Sequence, residues 1–217
     1  MLSALRDDDR MIDDISRDAA AARLLEFDRI EVPDDGSLKR AAVCLTVVTA
    51  PGDSGDLSVI ITRRLPSLRS HGGQWALPGG RLDHGETPRE AAAREMEEEV
   101  GIRVEPANIV GELDDYVSRS GYCITPVVFW DADVVFESTI NASEVASLHL
   151  ISLNHLDVDP TFYSIPESPK PVIQLPIGGR SGMHAPTGAI IHQFREVVLH
   201  GRATRVTQYE EPVFAWK

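Results

Sequence analysis

Between Gly80 and Ile102 the chain reads GRLDHGETPREAAAREMEEEVGI, a stretch that admits few folds. Thr87 has the chemistry of a helix N-cap. Pro88 suits the first helical position, where its missing N–H is no loss, and Glu90, three residues past Thr87, completes a capping box. Gly101 fits the left-handed residue that stops a helix. The spacing therefore predicts a helix of about three to four turns between Thr87 and Gly101. On it Glu95, Glu98 and Glu99 share one face, because residues three and four apart stack. Ala92, Ala93, Met96 and Val100 form a neighbouring apolar face. Like charges on one face repel. A solvated acidic surface would tolerate that repulsion, whereas a bound cation would offset it. Hard carboxylate oxygens with no Cys or His beside them suit Mg2+ or Mn2+. The flanking glycines and the strict order of cap, apolar face and acids favour the cation.

Gly80, Glu86, Arg94, Glu95, Met96, Glu98, Glu99, Gly101 and Ile102 occupy every fixed position of the Nudix box, so the chain resembles the Nudix hydrolases. The resemblance implies an α/β fold, an α/β/α sandwich around a mixed β-sheet, with the box helix on one side and a C-terminal helix on the other. It implies that Glu95, Glu98 and Glu99, with the backbone at Gly80, hold a divalent metal, Mg2+ or Mn2+. Arg94 is expected to orient a box glutamate and Glu86 to be structural. Catalysis is expected from Glu98, Glu95 and Arg94, with Glu98 the candidate base within the box. Glu144, in a capping loop after a strand, is the remote candidate. Its structural reading is an acid favoured at the first turn of a helix.

A second constellation precedes the box. Ile60, Ile61 and Thr62 lead to Arg64, Arg69, Gly73 and the run Pro78-Gly79-Gly80, with Arg63, Arg81 and His71 close by. Guanidinium groups pair with phosphate oxygens, and glycines let backbone N–H groups approach them. Each arginine taken alone serves equally well to neutralise the glutamates. As a set the segment resembles the signature of coenzyme A pyrophosphatases, which assigns Arg64, Arg69, Gly73, Gly79 and Gly80 to substrate binding. Leu65 and Leu77 depart from that pattern, which favours a small residue and Phe there. After the box, a Ser-Gly turn, the segment Thr125-Pro126-Val127-Val128 and Asn141 to Val145 extend the resemblance to about residues 38–156.

The reaction this implies is hydrolysis of a nucleoside diphosphate linked to another moiety: coenzyme A or its derivatives, cut to 3′,5′-ADP and 4′-phosphopantetheine. ADP-ribose or another nucleotide is the alternative substrate. A silent Nudix-fold module that binds a nucleotide or a partner is the alternative of a different class.

The formal net charge of −13 argues against DNA or RNA as partners, since polyanions need basic surface, while a small nucleotide is compatible. The acidic N-terminal stretch carries no apolar signal region, and no apolar run approaches the roughly 20 residues a bilayer span needs. A cytoplasmic protein without membrane contact is expected, with Cys44 and Cys123 as reduced core thiols.

Residues 1–37 read as an N-terminal helical arm packing on the domain or on a second subunit of a homodimer, and residues 38–217 as the catalytic domain. Ala41–Ala50, Leu57–Arg64 and Cys123–Trp130 read as strands, and Ile102–Val104 and Ile109–Leu113 as short ones. Pro51 to Asp56 reads as a hairpin connection. The Pro-, Gly- and Ser-rich span 157–184 reads as a loop excursion. Pro186–Leu199 has a helical period with proline at its start, and 205–209 and 213–216 read as terminal strands.

Overall fold

The computed structural model describes residues 15–51, 55–67, 72–131, 134, 140–179 and 182–216. The first half of the arm, most of the connection after Pro51, and Arg69 and His71 lie outside the described residues. Helix α1 (Arg17–Glu26) leads into strands β1 (Lys39–Thr49), β2 (Leu57–Arg64), β3 (Trp75–Ala76) and β4 (Gly79–Arg81). Helix α2 (Pro88–Val100) follows, then β5 (Ile109–Glu112), β6 (Tyr116–Val117), β7 (Tyr122–Trp130) and β8 (Val145–Ser152). The chain ends through the short helix α3 (Leu153–Leu156), strands β9 (Thr161–Ile165), β10 (Ser168–Leu175) and β11 (Met183–His184), and helix α4 (Thr187–Phe194).

These elements make the α/β sandwich that the box implies. The main sheet is mixed: β1 runs parallel to β7, from Lys39 opposite Tyr122 to Val47 opposite Trp130, while β2, β4, β5, β6 and β8 pair antiparallel. A parallel pair at the centre of a layered sheet is buried on both faces, which is why β1 and β7 read as continuous apolar runs. Their side chains still alternate. Ala42, Cys44, Val48, Val127 and Phe129 face α2, with Ala91, Ala92, Met96 and Val100 packed onto them. Leu45, Val47, Val128 and Trp130 face the other way, onto Ala189, Ile190 and Phe194 of α4. Cys44 and Cys123 are buried free thiols.

The arm packs onto its own domain. Ala20, Leu24 and Phe27 enter the α4-side core, and the Arg23 guanidinium donates to the carbonyls of Val198 and Leu199. Gly111 is required there, since a Cβ on it would stand 2.7 Å from Leu24 Cβ.

Four sequence expectations are corrected. The span 157–184 is not a loop excursion: β9, β10 and β11 form a second antiparallel sheet, and β10 buries Val172, Ile173 and Leu175. Prolines at 169 and 171 disguise it, because proline argues against a regular strand. Here they fall where the β9–β10 register shifts, between Ser168 and Val172. The C-terminal helix stays α-helical only to Phe194 and widens to a π-turn over Arg195–Leu199. Ile102–Val104 is extended chain outside any sheet, its apolar side chains packing on the α2-side core. Near the C-terminus, 205–209 lies outside any strand and Val213–Trp216 is a 3-10 turn. Among the described residues, no helix is long and apolar enough to cross a membrane.

Candidate active site

Helix α2 begins as its sequence requires. The Thr87 hydroxyl accepts from Glu90 N–H at 3.3 Å, Glu90 Oε2 accepts from Thr87 N–H at 2.9 Å, and Gly101 closes the helix at φ 72°. The apolar face fixes the helix on the sheet, and that rotation brings Glu95 against Gly80 and Glu99 to the N–H of Gly79, both in β4.

Arg94 is the hub. Its Nε and Nη2 donate to the two oxygens of Glu86 at 2.8 and 3.0 Å, and Nη2 also donates to the Arg81 carbonyl at 3.0 Å. Its Nη1 donates to both Glu95 Oε1 at 2.8 Å and Glu98 Oε2 at 2.9 Å. Glu86 further accepts from Asp83 N–H at 2.8 Å. The hydrogen bonds from Arg94 hold the Glu86 carboxyl below its usual range, despite partial burial. Glu86 thus anchors the arginine, and the arginine sets two box glutamates.

Glu95 and Glu99 are in the opposite electrostatic state. Burial raises the Glu95 carboxyl, Arg94 opposes that rise, and the charges of Glu98 and Glu144 add to it. Glu99 is only 3% exposed, and burial pushes it up to about 7. Arg64, whose Nη1 lies 3.5 Å from Glu99 Oε1, offsets part of this, while Glu95 and Glu144 reinforce it. Carboxylates that raise one another in this way face a shared volume with too little positive charge in it.

Glu144 belongs to this set. It ends the turn after Asn141, whose backbone N–H donates to the Glu99 carbonyl at 2.9 Å, and its own carbonyl accepts from Leu65 N–H at 2.9 Å. The segment after it is β8, paired along β2, so no helix is present for Glu144 to cap. The first-turn reading of Glu144 is corrected accordingly.

The glycines divide by role. A Cβ on Gly80 would stand 2.6 Å from Glu95 Cδ, so a side chain there would displace the carboxylate. Gly79 is pressed on β1, where a Cβ would lie 2.7 Å from Val43 Cα, and its N–H is given to Glu99. Gly79, Gly80 and Arg64 line a cleft of about 340 Å3 whose walls include Trp75, Tyr122 and Glu211. Gly73, at φ 72°, lines a neighbouring hollow of about 420 Å3 that shares Trp75. Its N–H is bonded to the Arg64 carbonyl and its carbonyl to Arg63 Nε. Of the expected substrate-binding set, the described members are therefore split: Arg64, Gly79 and Gly80 line the cleft and Gly73 the neighbouring hollow.

Trp75, Tyr122 and Glu211 were not among the sequence candidates. Trp75 lies close to the box in sequence, as the aromatic residue of Gly-Gly-Gln-Trp, and was legible in principle. Glu211 carries no local signal, since its partner Arg119 lies 92 residues away.

The molecule is thus a mixed α/β sandwich whose acidic helix stands against the Gly79-Gly80 strand that lines a cleft. Residues 38–170 match the NUDIX domain family, and the chain belongs to it. It is similar to Nudix hydrolase 3 of Caenorhabditis elegans, 35% identical over 128 residues, covering 58% of this chain and 52% of that protein. It is also similar to the uncharacterized Nudix hydrolase NudL of Yersinia enterocolitica, 36% identical over 131 residues, covering 58% of this chain and 64% of that protein. The chain thus spans only about half to under two-thirds of these relatives' length. Among solved structures, a MutT protein from Methanosarcina mazei is 25% identical, with a TM-score of 0.43, over 54% of this chain and 79% of that one.

Proposed function

We propose that this chain is a divalent-metal-dependent pyrophosphohydrolase that cuts a nucleoside diphosphate linked to another moiety, with coenzyme A or its derivatives as substrate. The products are then 3′,5′-ADP and 4′-phosphopantetheine. We assign the reaction to the unit 38–217, braced by the arm.

One observation supports this reading above the rest: half-buried Glu95 and buried Glu99, both raised by neighbouring acids, stand against Gly80 and Gly79, and those glycines line a cleft large enough for part of a nucleotide. The donor set fits Mg2+ or Mn2+, being hard oxygens under mutual repulsion. Among the described residues no three acidic, His or Cys side chains already stand as a metal cage. The fit therefore rests on donor chemistry, with Glu95, Glu98, Glu99 and the Gly80 backbone as the holding groups. When bound, the metal neutralises phosphate charge and acidifies a coordinated water.

The protein side of the reaction follows from its own contacts. Arg94 holds Glu95 and Glu98 in fixed orientation through one nitrogen, so neither has to be ordered during the reaction. Glu98, the more exposed of the two at 58% against 14%, is the group placed to take the proton of the attacking water. Glu144 is the competing base. Arg64 loosely holds Glu99 and borders the cleft, so it can turn to a phosphate oxygen as substrate enters.

The test is a panel of coenzyme A, dephospho-coenzyme A, ADP-ribose and nucleoside triphosphates at matched concentration, with Mg2+ or Mn2+. Highest kcat/KM on coenzyme A or an acyl derivative is the expected result. Preference for ADP-ribose would move the substrate class, and binding without turnover across the panel would remove the enzymatic reading.

A further inference from the structure

Glu210 and Glu211 are neighbours in the chain, and Glu211 lines the cleft. Both are buried, at 6% and 1% exposure, yet they are treated differently. Glu210 is fully engaged. Its Oε2 accepts from Arg119 Nη2 at 2.9 Å and its Oε1 from Glu211 N–H at 2.9 Å. Burial works against its charge, but Arg119, Ser168 and that N–H bring its carboxyl down to about 2. Glu211 is half engaged. Its Oε1 accepts from Arg119 N–H at 2.9 Å, while its Oε2 is buried with no hydrogen-bond partner. Burial raises this carboxyl and the Glu210 charge adds to the rise.

A buried carboxylate oxygen without a donor is costly, and native structures rarely keep one idle. Apolar replacement would relieve the cost, yet a carboxylate is retained here. Its position offers a reason, because Glu211 lines the cleft that Gly80 also lines. The same cleft is walled by Trp75, Tyr122, Ile124 and Ile190, a mainly apolar surface on which a few polar groups, Glu211 among them, fix orientation.

We propose that Glu211 is a specificity-determining residue whose Oε2 accepts a hydrogen bond from an N–H group of the moiety attached to the diphosphate. This rests on the hydrolase reading above. Two sources carry such a donor: the exocyclic amine of an adenine base, and a secondary amide of a pantetheine-like arm.

The contact to Arg119 makes Glu211→Gln informative. Arg119 N–H demands an acceptor, so it pins the Gln carbonyl oxygen in place of Oε1. The amide NH2 then stands where Oε2 stood. The variant keeps shape and inverts polarity, so it should raise KM roughly ten- to a hundredfold with kcat little changed, the pattern of lost uniform binding. Circular dichroism and urea unfolding check the fold.

The wild type supplies an arm that needs no variant: adenine and hypoxanthine forms of the same diphosphate, in which the base amine becomes a carbonyl. Preference for the adenine form, lost or reversed in Glu211→Gln, places the donor on the base. Indifference to the base, with a raised KM in the variant for amide-bearing substrates, places it on the arm. Unchanged KM in the variant for every substrate, or Glu211→Gln binding more tightly, overturns the proposal.

Calorimetric binding of the same pairs separates the two readings, since it needs no turnover. Base or amide discrimination through Glu211 without hydrolysis would sink the enzymatic reading alone. Hydrolysis with an indifferent Glu211 would sink this inference alone, and absence of both binding and hydrolysis would sink the two together.

Discussion

Two clusters in this molecule join acids to arginines, and they end in opposite states. One is the box face, Glu95, Glu98 and Glu99 with Arg94 and Arg64. The other lies at the far side of β7, where Asp114 and Asp115 are fully buried. Asp115 accepts from Arg29 Nη2 at 2.7 Å, Arg40 Nη2 at 3.3 Å, Val32 N–H at 2.9 Å and Thr125 Oγ1 at 2.6 Å. Asp114 accepts from Arg205 Nη1 and Gln193 Nε2, both at 2.7 Å, and from Ile30 N–H at 2.7 Å. Burial alone would raise the Asp115 carboxyl, yet Thr125, Val32 and Arg29 carry it below its usual range. At Glu99 the same burial wins, because only a loosely held arginine and one backbone N–H, that of Gly79, oppose it while Glu95 and Glu144 reinforce it. Burial of a carboxylate is thus not the mark of a reaction site. Incomplete compensation is, because it leaves charge for something else to neutralise.

The sharpest break between the clusters should come from Glu98→Gln. Loss of the proposed base is expected to lower kcat by about 10^2- to 10^4-fold. Stability in urea should hold or rise slightly, since Glu98 is 58% exposed and one of three repelling acids. A rate within a few fold of wild type would transfer the role to Glu144, and Glu144→Gln would then carry the loss.

The converse substitution is Asp115→Ala. It leaves Arg29 and Arg40 short of their shared partner in a buried setting, so unfolding should lose about 3–5 kcal/mol. The surviving folded fraction should hydrolyse substrate at the wild-type rate per molecule. The network ties the arm, β7 and α4 together without touching the cleft. A variant as stable as wild type but inactive would reverse the assignment of the two clusters.

How far the sequence already separated them is instructive. The box face was legible because its determinants are local: cap, apolar face, acids and stop all lie on one helix, within Thr87 to Gly101. The central strands were legible for the same reason, as unbroken apolar runs. Asp114 and Asp115 were not, because their partners Arg29, Arg40, Gln193 and Arg205 lie in distant parts of the chain, and a pair of aspartates after a short strand reads as a turn. Glu211 escaped for that reason too. The second sheet was hidden by a local signal that misleads, since Pro169 and Pro171 disfavour a strand unless its register breaks where they fall. Gly73 was grouped with Gly79 and Gly80 through the signature they share, and only the folded chain places it at another hollow.

The last contrast is in pH. Glu99 rises from 4.5 to about 7 on folding, so between those values the native state binds a proton that the unfolded state has released. Native stability of the metal-free protein therefore falls as pH climbs through this window, by up to roughly 3 kcal/mol from this group at about 1.4 kcal/mol per unit. Asp115 has the other sign. Its folded value lies below 3.8, so its contribution is present above that pH and is lost as acid carries the protein through the folded value. Thermal melts from pH 4.5 to 8 without divalent ions should show Tm declining toward neutrality, and Glu99→Gln should flatten that decline because an amide has no proton to lose. Added Mg2+ should restore Tm at pH 8 in the wild type far more than in the variant, since the metal supplies the missing positive charge there. A wild-type profile as flat as the variant's would mean that Arg64 already compensates Glu99, and the distinction between the two clusters would then rest on Glu95 alone.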